Sequence, residues 1–252
     1  MKIAITGKGG VGKTTIASLL AQGWAQAGYK VLAIDADPVS SLAGALGFPE
    51  PEKIIPLSEM SGLIEERTGA KPGMLGQMFK LNPTVDDLPE KIAHEYNGIK
   101  LIVMGGVRTG GGGCVCPESA LIKTLIRHIL LERNERVIID MEAGVEHLGR
   151  STADAVNWML TVVEPGLRSI QAANRIKSLA QQIGIKNIVA VGNKISSPDE
   201  IQFITNSLDR IKLAGYIPYS KLISRLDREG YAKPDTSIDK EIKSIIEFLE
   251  RS

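Results

Sequence analysis

Two short stretches of this chain carry residue types that do chemistry. The first is Gly7-Lys8-Gly9-Gly10-Val11-Gly12-Lys13-Thr14-Thr15, a glycine followed by four residues and then Gly-Lys-Thr. That spacing makes a loop whose consecutive N–H groups turn inward around phosphate oxygens, at a helix N-terminus that favours anions. Lys13 is placed to reach the β- and γ-phosphates of a nucleotide, and the Thr14 hydroxyl to bind Mg²⁺. The second is Gly110-Gly-Gly-Gly-Cys114-Val-Cys116-Pro117-Glu118, which holds the only two cysteines of the chain. A disulfide framework does not place its cysteines this way. Thiols at i and i+2 can hold one soft metal together, but a closed Zn²⁺ site needs a full tetrahedral set of ligands. Two chains related by a two-fold axis would supply it, because isologous contact brings like residues together. Thiolates suit Zn²⁺, Cu(I), iron–sulfur clusters and square-planar Ni(II). A pair of free or redox-active thiols in a loop is the alternative.

Glycine is concentrated at the same two places. The chain has 26 glycines in 252 residues, and ten fall within residues 7–12 and 105–113. The rest carries the ordinary proportion, ~7%. Collagen-like and low-complexity readings are excluded, and two segments need backbone freedom that side chains would deny. The remaining composition is that of an ordinary globular chain. Net charge is +1 and aromatics make up 4%, which speaks against a basic nucleic-acid binder or a base-stacking platform. The N-terminus reads as a strand and not as a signal peptide, and no apolar run approaches the ~20 residues of a membrane span. A cytoplasmic protein that binds neither nucleic acid nor membrane is expected.

The elements that must position these residues alternate in kind. Residues 2–6, 31–35, 101–105, 137–140, 160–163, 188–192 and 212–216 read as strands, and several are apolar throughout, as in Ile138-Ile139 and Val189-Ala190-Val191, as expected for strands buried on both faces. Helical patterns lie at 14–27, 119–132, 167–183, 199–208 and 238–250. This alternation predicts an α/β fold in one domain over residues 1–252, a doubly wound, mostly parallel sheet with helices on both faces. Residues 48–97 carry six prolines and are expected to form short helices and loops beside the sheet. The last helix sets Ile238, Ile242, Ile245, Ile246 and Leu249 on one face. Its polar face mixes acids and lysines, so docking on the sheet is favoured over a membrane surface.

Lys8 changes the reading of the first motif. Lys-Gly-Gly-Val-Gly-Lys-Thr, from Lys8 to Thr14, resembles the deviant phosphate loop of the dimerising P-loop ATPases (the SIMIBI class). These include division-site selection and partition ATPases, iron–sulfur carrier ATPases and the nitrogenase iron protein. The resemblance implies that Lys8 crosses a dimer interface to the partner's phosphates. Asp35-Ala-Asp37-Pro38 looks like switch I, with Asp37 positioning the attacking water and responding to the Mg²⁺-bound triphosphate. Val137-Ile-Ile-Asp140-Met-Glu-Ala-Gly144 looks like the Walker B strand running into switch II. Asp140 stands where a carboxylate is needed to hold Mg²⁺, directly or through water, and the Gly144 N–H could sense the γ-phosphate. Glu142 replaces the proline of the common motif. Asn193-Lys194 resembles the adenine-binding asparagine of the superfamily, with a strand-end turn as the alternative. Ile217-Pro218 resembles the segment that packs on the base.

The cysteine loop narrows the resemblance. Residues 104–118, together with Asp140-Met-Glu-Ala-Gly-Val-Glu-His147, look like the nickel-insertion ATPases that mature carbon monoxide dehydrogenase and the related acetyl-CoA synthase factor. That resemblance implies ATP or ADP with Mg²⁺, a homodimer closed by nucleotide or metal, and Ni²⁺ or Zn²⁺ shared by Cys114 and Cys116 of both chains. It also implies a client metalloenzyme. Two other readings stay open: an iron–sulfur carrier or reductase-like ATPase with a cluster at the dimer interface, and a spatial organiser acting on DNA or membrane. His147, Glu142 and Glu146 are switch groups or solvated loop residues. Met74, Met78 and Met104 read as packing. His94 and His128 lie in helical patterns and receive no role.

Overall fold

The computed structural model describes residues 1–74, 76–106, 116–144, 148–221, 223 and 238–251, with the backbone alone at residues 150 and 151. Its eight strands are β1 (Lys2–Gly7), β2 (Val31–Ala36), β3 (His94–Tyr96), β4 (Ile99–Val103), β5 (Arg136–Met141), β6 (Trp158–Val163), β7 (Ile188–Ile195) and β8 (Lys212–Pro218). They form one sheet in the order β3-β4-β2-β5-β1-β6-β7-β8. Every neighbouring pair is parallel except β3 with β4. The helices are α1 (Lys13–Gln26), α2 (Leu42–Ala45), α3 (Ser61–Thr68), α4 (Leu88–Ile92), α5 (Pro117–Glu132), α6 (Arg150–Ala153), α7 (Leu167–Ile183), α8 (Pro198–Ser207) and α9 (Asp239–Arg251).

The period-two alternation of each strand divides the core between the two faces of the sheet. Ile3, Ile5, Ile138 and Leu160 pack with Leu20 and Trp24 of α1 and with Ile242, Ile245 and Leu249 of α9. Ala4, Leu32, Ile139 and Met159 face the other way, against Leu121, Leu125 and Ile129 of α5 and Ile176 of α7. A smaller cluster joins Ile170 of α7 to Ala190 of β7 and Ile204 of α8. The last helix therefore lies on the sheet beside α1, as its mixed polar face implied. The Trp158 indole N–H fastens it by donating to the Leu249 carbonyl at 3.1 Å.

Residues 48–97 hold α3, α4 and two single 3₁₀ turns, Pro51–Lys53 and Leu57–Glu59. Leu57, Ile64 and Leu88 are fully buried in the α5 face. One feature here corrects the sequence reading: His94 lies in the short antiparallel strand β3, not in a helix. A three-residue edge strand with two exposed members has too little periodicity to announce itself.

Candidate functional site

The sheet delivers the candidate residues to one edge. β1, β2 and β5 end side by side, and Asp35 is paired in register with Asp140 across β2 and β5. The chain leaves β1 toward β2 on one side, while β6 lies on the other, so a crevice opens outside the carboxyl ends. Gly12 stands at the entry to α1 with φ +94°, and a Cβ there would lie 2.2 Å from Asn193 Nδ2. Only glycine meets both conditions. The loop lines a cleft of about 360 Å³ together with Asp37, Ser41, Asn193, Lys194, Pro218, Tyr219, Ser220 and Ile223.

The structure brings Gly9, Gly10, Gly12, Lys13, Thr14 and Thr15 to that cleft. Lys13 is buried, with 8% of its surface exposed. Lys8 is half-buried outside the cleft lining, and its side chain meets no partner among the described residues. Gly7 and Val11 are buried beneath the loop. Asn193 is 5% exposed, and its amide donates to the Val11 carbonyl at 2.8 Å. It thus anchors the phosphate loop from a strand 182 residues away. Lys194 does the same from a left-handed φ of +60°. Its ammonium donates to the Gly10 carbonyl at 2.8 Å and pairs with Glu164 at 3.4 Å. Ile217 corrects an expectation: it is fully buried in the α9-side core and does not line the cleft. Strand alternation turns it inward, so Pro218, Tyr219 and Ser220 form that wall. Tyr219 and Ser220 directly follow the motif and could have been read by extending it.

Three carboxylates converge beside Thr14. The Thr14 hydroxyl donates to Asp140 Oδ2 at 2.6 Å. Asp140 Oδ1 is buried and has no partner among the described residues. Burial pushes the Asp140 carboxyl up to about 7; the Asp35 and Asp37 charges add to this, and Thr14 and Lys13 oppose it. Burial also pushes Asp35 up to about 6, against the N–H groups of Leu42, Asp37 and Ser41 that bond it. Those bonds fold the start of switch I around one side chain: Asp35 accepts from Asp37 at 3.2 Å and from Ser41 and Leu42 at 2.9 Å each. An unpartnered buried oxygen among like charges fits a divalent cation, which would satisfy it and relieve the repulsion. Thr14 and Asp140 are placed to hold Mg²⁺, with Asp37 on the cleft wall.

The second glycine stretch begins against this site. The Met104 N–H donates to the Asp35 carbonyl at 2.8 Å. Gly105 follows at φ +74°, where a Cβ would lie 2.6 Å from Pro56 Cβ. Gly106 packs on Pro38 of switch I, with its missing Cβ 3.2 Å from Pro38 Cβ. Cys114, Glu146 and His147 lie outside the described residues. Cys116 stands at the N-cap position of α5 and is half-buried. Burial pushes its thiol up, as does its bond with the Glu118 carboxylate, and the Ser119 N–H opposes them. Among the described residues no cluster of three or more His, Cys, Asp or Glu side chains could hold a metal. Nor is any helix there long and apolar enough to cross a membrane.

A phosphate loop at the carboxyl edge of a parallel sheet, with a Thr–Asp pair beside it, defines a P-loop nucleoside triphosphatase. The chain belongs to the CobQ/CobB/MinD/ParA nucleotide-binding domain family, whose profile matches residues 2–231, and it is an ATPase that works with nucleotide and Mg²⁺. It is 49% identical over 239 residues to the carbon monoxide dehydrogenase accessory protein CooC of Rhodospirillum rubrum, covering 94% of this chain and 90% of that one. It is 46% identical to an uncharacterised ATP-binding protein of Methanocaldococcus jannaschii, over 99% of this chain and 97% of the other. A ParA family ATPase from Chlorobium tepidum shares the fold at TM-score 0.70 and 18% identity, over 98% of each chain.

Proposed function

We propose that this ATPase is a metal-delivery factor: it couples nucleotide state to the grip of a cysteine loop on Ni²⁺ destined for carbon monoxide dehydrogenase or a similar client. The observation that carries the reading is contiguity. The segment that carries both cysteines follows Gly105–Gly106, and Gly106 rests on Pro38, one residue from Asp37. The likeness to CooC over nearly the whole chain supports the choice of client.

In this reading the phosphate loop binds the triphosphate through its N–H groups and Lys13. Thr14 and Asp140 would hold Mg²⁺, which would supply neutralisation of phosphate charge. Asp37 orients the attacking water. Lys8, whose side chain has no partner among the described residues, reaches the phosphates of a second copy and closes the homodimer. Closure brings Cys114 and Cys116 of the two chains onto one shared ion, Ni²⁺ or Zn²⁺. Hydrolysis relaxes switch I, Pro38 moves, and the thiolates part. Metal and nucleotide affinities then influence each other reciprocally. Catalysis needs positioning and charge neutralisation alone.

The test is metal stoichiometry of the full chain by mass spectrometry, for the wild type, Cys114→Ser and Cys116→Ser. The expected result is one Ni²⁺ or Zn²⁺ per dimer, lost in both variants. Unchanged binding in either variant overturns the site, and a brown protein with visible absorption after anaerobic purification replaces nickel with an iron–sulfur cluster.

A further inference from the structure

Thr6 and Thr161 are buried hydroxyls that the chemistry above does not use. Thr6 is the next-to-last residue of β1 and is fully buried. Its hydroxyl accepts from the Gly144 N–H at 3.2 Å and donates to the Gly144 carbonyl at 3.0 Å. Gly144, at φ +147°, is thereby held down by the strand that feeds the phosphate loop. The amide has a single proton. While Thr6 engages it, that proton cannot be given to a γ-phosphate oxygen, the role read for Gly144 above.

Releasing Gly144 would leave the buried Thr6 hydroxyl with only a long contact to the Glu142 carbonyl at 3.4 Å, and an under-satisfied buried hydroxyl is costly. Thr161 removes that cost. It is fully buried on β6, and its hydroxyl is unpartnered among the described residues. Thr6 and Thr161 are register partners across parallel strands. The pairs below them confirm a shared face: Ile5 and Leu160 lie in one core cluster and Ala4 and Met159 in the other. Strands stand ~4.7–4.9 Å apart, so rotation about χ1 can bring two threonine hydroxyls on one face into bonding distance. A buried hydroxyl left unpaired in a native fold calls for an explanation, and a standby partner supplies one.

We propose that Thr6 and Thr161 position switch II by exchanging hydrogen bonds. In one arrangement Thr6 holds Gly144; in the other Thr6 bonds Thr161, and the Gly144 N–H is free for the terminal phosphate. Both threonines are positioning residues, and the inference rests on the reading of Gly144 as the γ-phosphate sensor.

The experiment measures Mg²⁺-dependent affinity for a non-hydrolysable ATP analogue and for ADP, on the full chain, in wild type, Thr161→Val, Thr161→Ser, Thr6→Val and the double valine variant. Thr161→Val leaves Thr6 with only the long Glu142 contact when Gly144 lets go, so the ATP analogue binds about fivefold more weakly, the net worth of one hydrogen bond. ADP affinity is unchanged. Thr161→Ser restores the hydroxyl and wild-type binding. In the Thr6→Val background the Thr161→Val effect disappears, because no stranded hydroxyl remains. An ATP-analogue affinity unchanged in Thr161→Val, an equal loss for both nucleotides, or the same loss with and without Thr6 overturns the exchange. Gly144→Ala separates the two layers. If it weakens the ATP analogue relative to ADP while Thr161→Val does not, the sensor stands and the exchange falls. If it leaves that ratio unchanged, the sensor reading falls.

Discussion

Replacing Gly106 by alanine tests whether the nucleotide site and the cysteine loop are mechanically joined. The new Cβ would stand 3.2 Å from Pro38 Cβ and 3.5 Å from Pro38 Cα. Ordinary carbon–carbon contact is ~3.5–4.0 Å, so Pro38 must give way by a few tenths of an ångström. Gly106 is not among the glycines with positive φ, so the backbone accepts alanine. Losing glycine's freedom in the unfolded chain stabilises by ~0.4–1 kcal/mol, and slight overpacking costs ~1 kcal/mol. The two nearly cancel, and Tm should stay within ~4 °C of wild type. Gly105→Ala is the contrast. There the Cβ would meet Ser58 Oγ at 2.3 Å and Pro56 Cβ at 2.6 Å, at φ +74°. Left-handed strain of ~1–2 kcal/mol adds to overpacking of ~1–3 kcal/mol, so this variant melts early. The assay titrates Ni²⁺ into each protein with a Mg²⁺–ATP analogue and again with Mg²⁺–ADP, with thermal melts in parallel. The ratio of the two affinities is the coupling factor, ~5–150-fold for typical linked sites. Gly106→Ala should draw that ratio toward one without loss of fold. An unchanged ratio in both Gly106→Ala and Gly106→Val would refute the claim that Pro38 carries nucleotide state to the loop.

Three further outcomes follow from the same geometry. Asp140→Asn keeps the Thr14 contact but removes the charge, so hydrolysis should fall by more than about a hundredfold, read as steady-state kcat at saturating Mg²⁺. Lys8→Ala should bind one nucleotide per chain normally yet stay monomeric with the ATP analogue in light scattering, with kcat down roughly a thousandfold; dimerisation like wild type would sink the cross-subunit role. Glu90, bonded by Lys100 and Arg133, has its carboxyl held down at about 2, and its side chain is 56% exposed, so the network is worth less than ~1 kcal/mol. Because the folded value lies below the unfolded one, that contribution is complete above pH 4.5 and fades as pH falls toward 2; the Tm gap between wild type and Glu90→Gln should therefore close on acidification, and a widening gap would contradict the assignment.

What was legible in the sequence was local. The phosphate loop, the strand that feeds it and the helix it opens lie within residues 2–26, and their spacing alone states their purpose. All seven strands read from the sequence are present; the central ones are buried on both faces of a parallel sheet, which leaves a continuous apolar signal, while β8 is a half-exposed edge strand. The contacts that control the loop were not legible. Asn193 with Val11 and Thr6 with Gly144 join residues 182 and 138 positions apart. Only the register of the sheet brings them together, and no local pattern encodes it. Ile217 was misplaced for a related reason: the motif identified the segment, but strand alternation decides which residue of it faces the cleft.

Asp35 ties together the two parts of the fold that the proposed coupling would need. Its carboxylate gathers the N–H groups of Asp37, Ser41 and Leu42, while its carbonyl accepts from Met104. Being fully buried and bonded on both sides, it is a fixed post, and strand β4 up to Met104 is tied to it. The Ser58 N–H adds a second tie, to the Met104 carbonyl at 3.0 Å. Motion of switch I therefore cannot pass into the sheet through Met104. It meets the next chain segment instead, at the Pro38–Gly106 contact, where Gly105 supplies the turn and Gly106 offers no side chain to absorb the push. In the proposed reading a displacement at Pro38 is passed on through Gly106 to the segment that carries Cys114, and the Gly106→Ala titration tests that transfer.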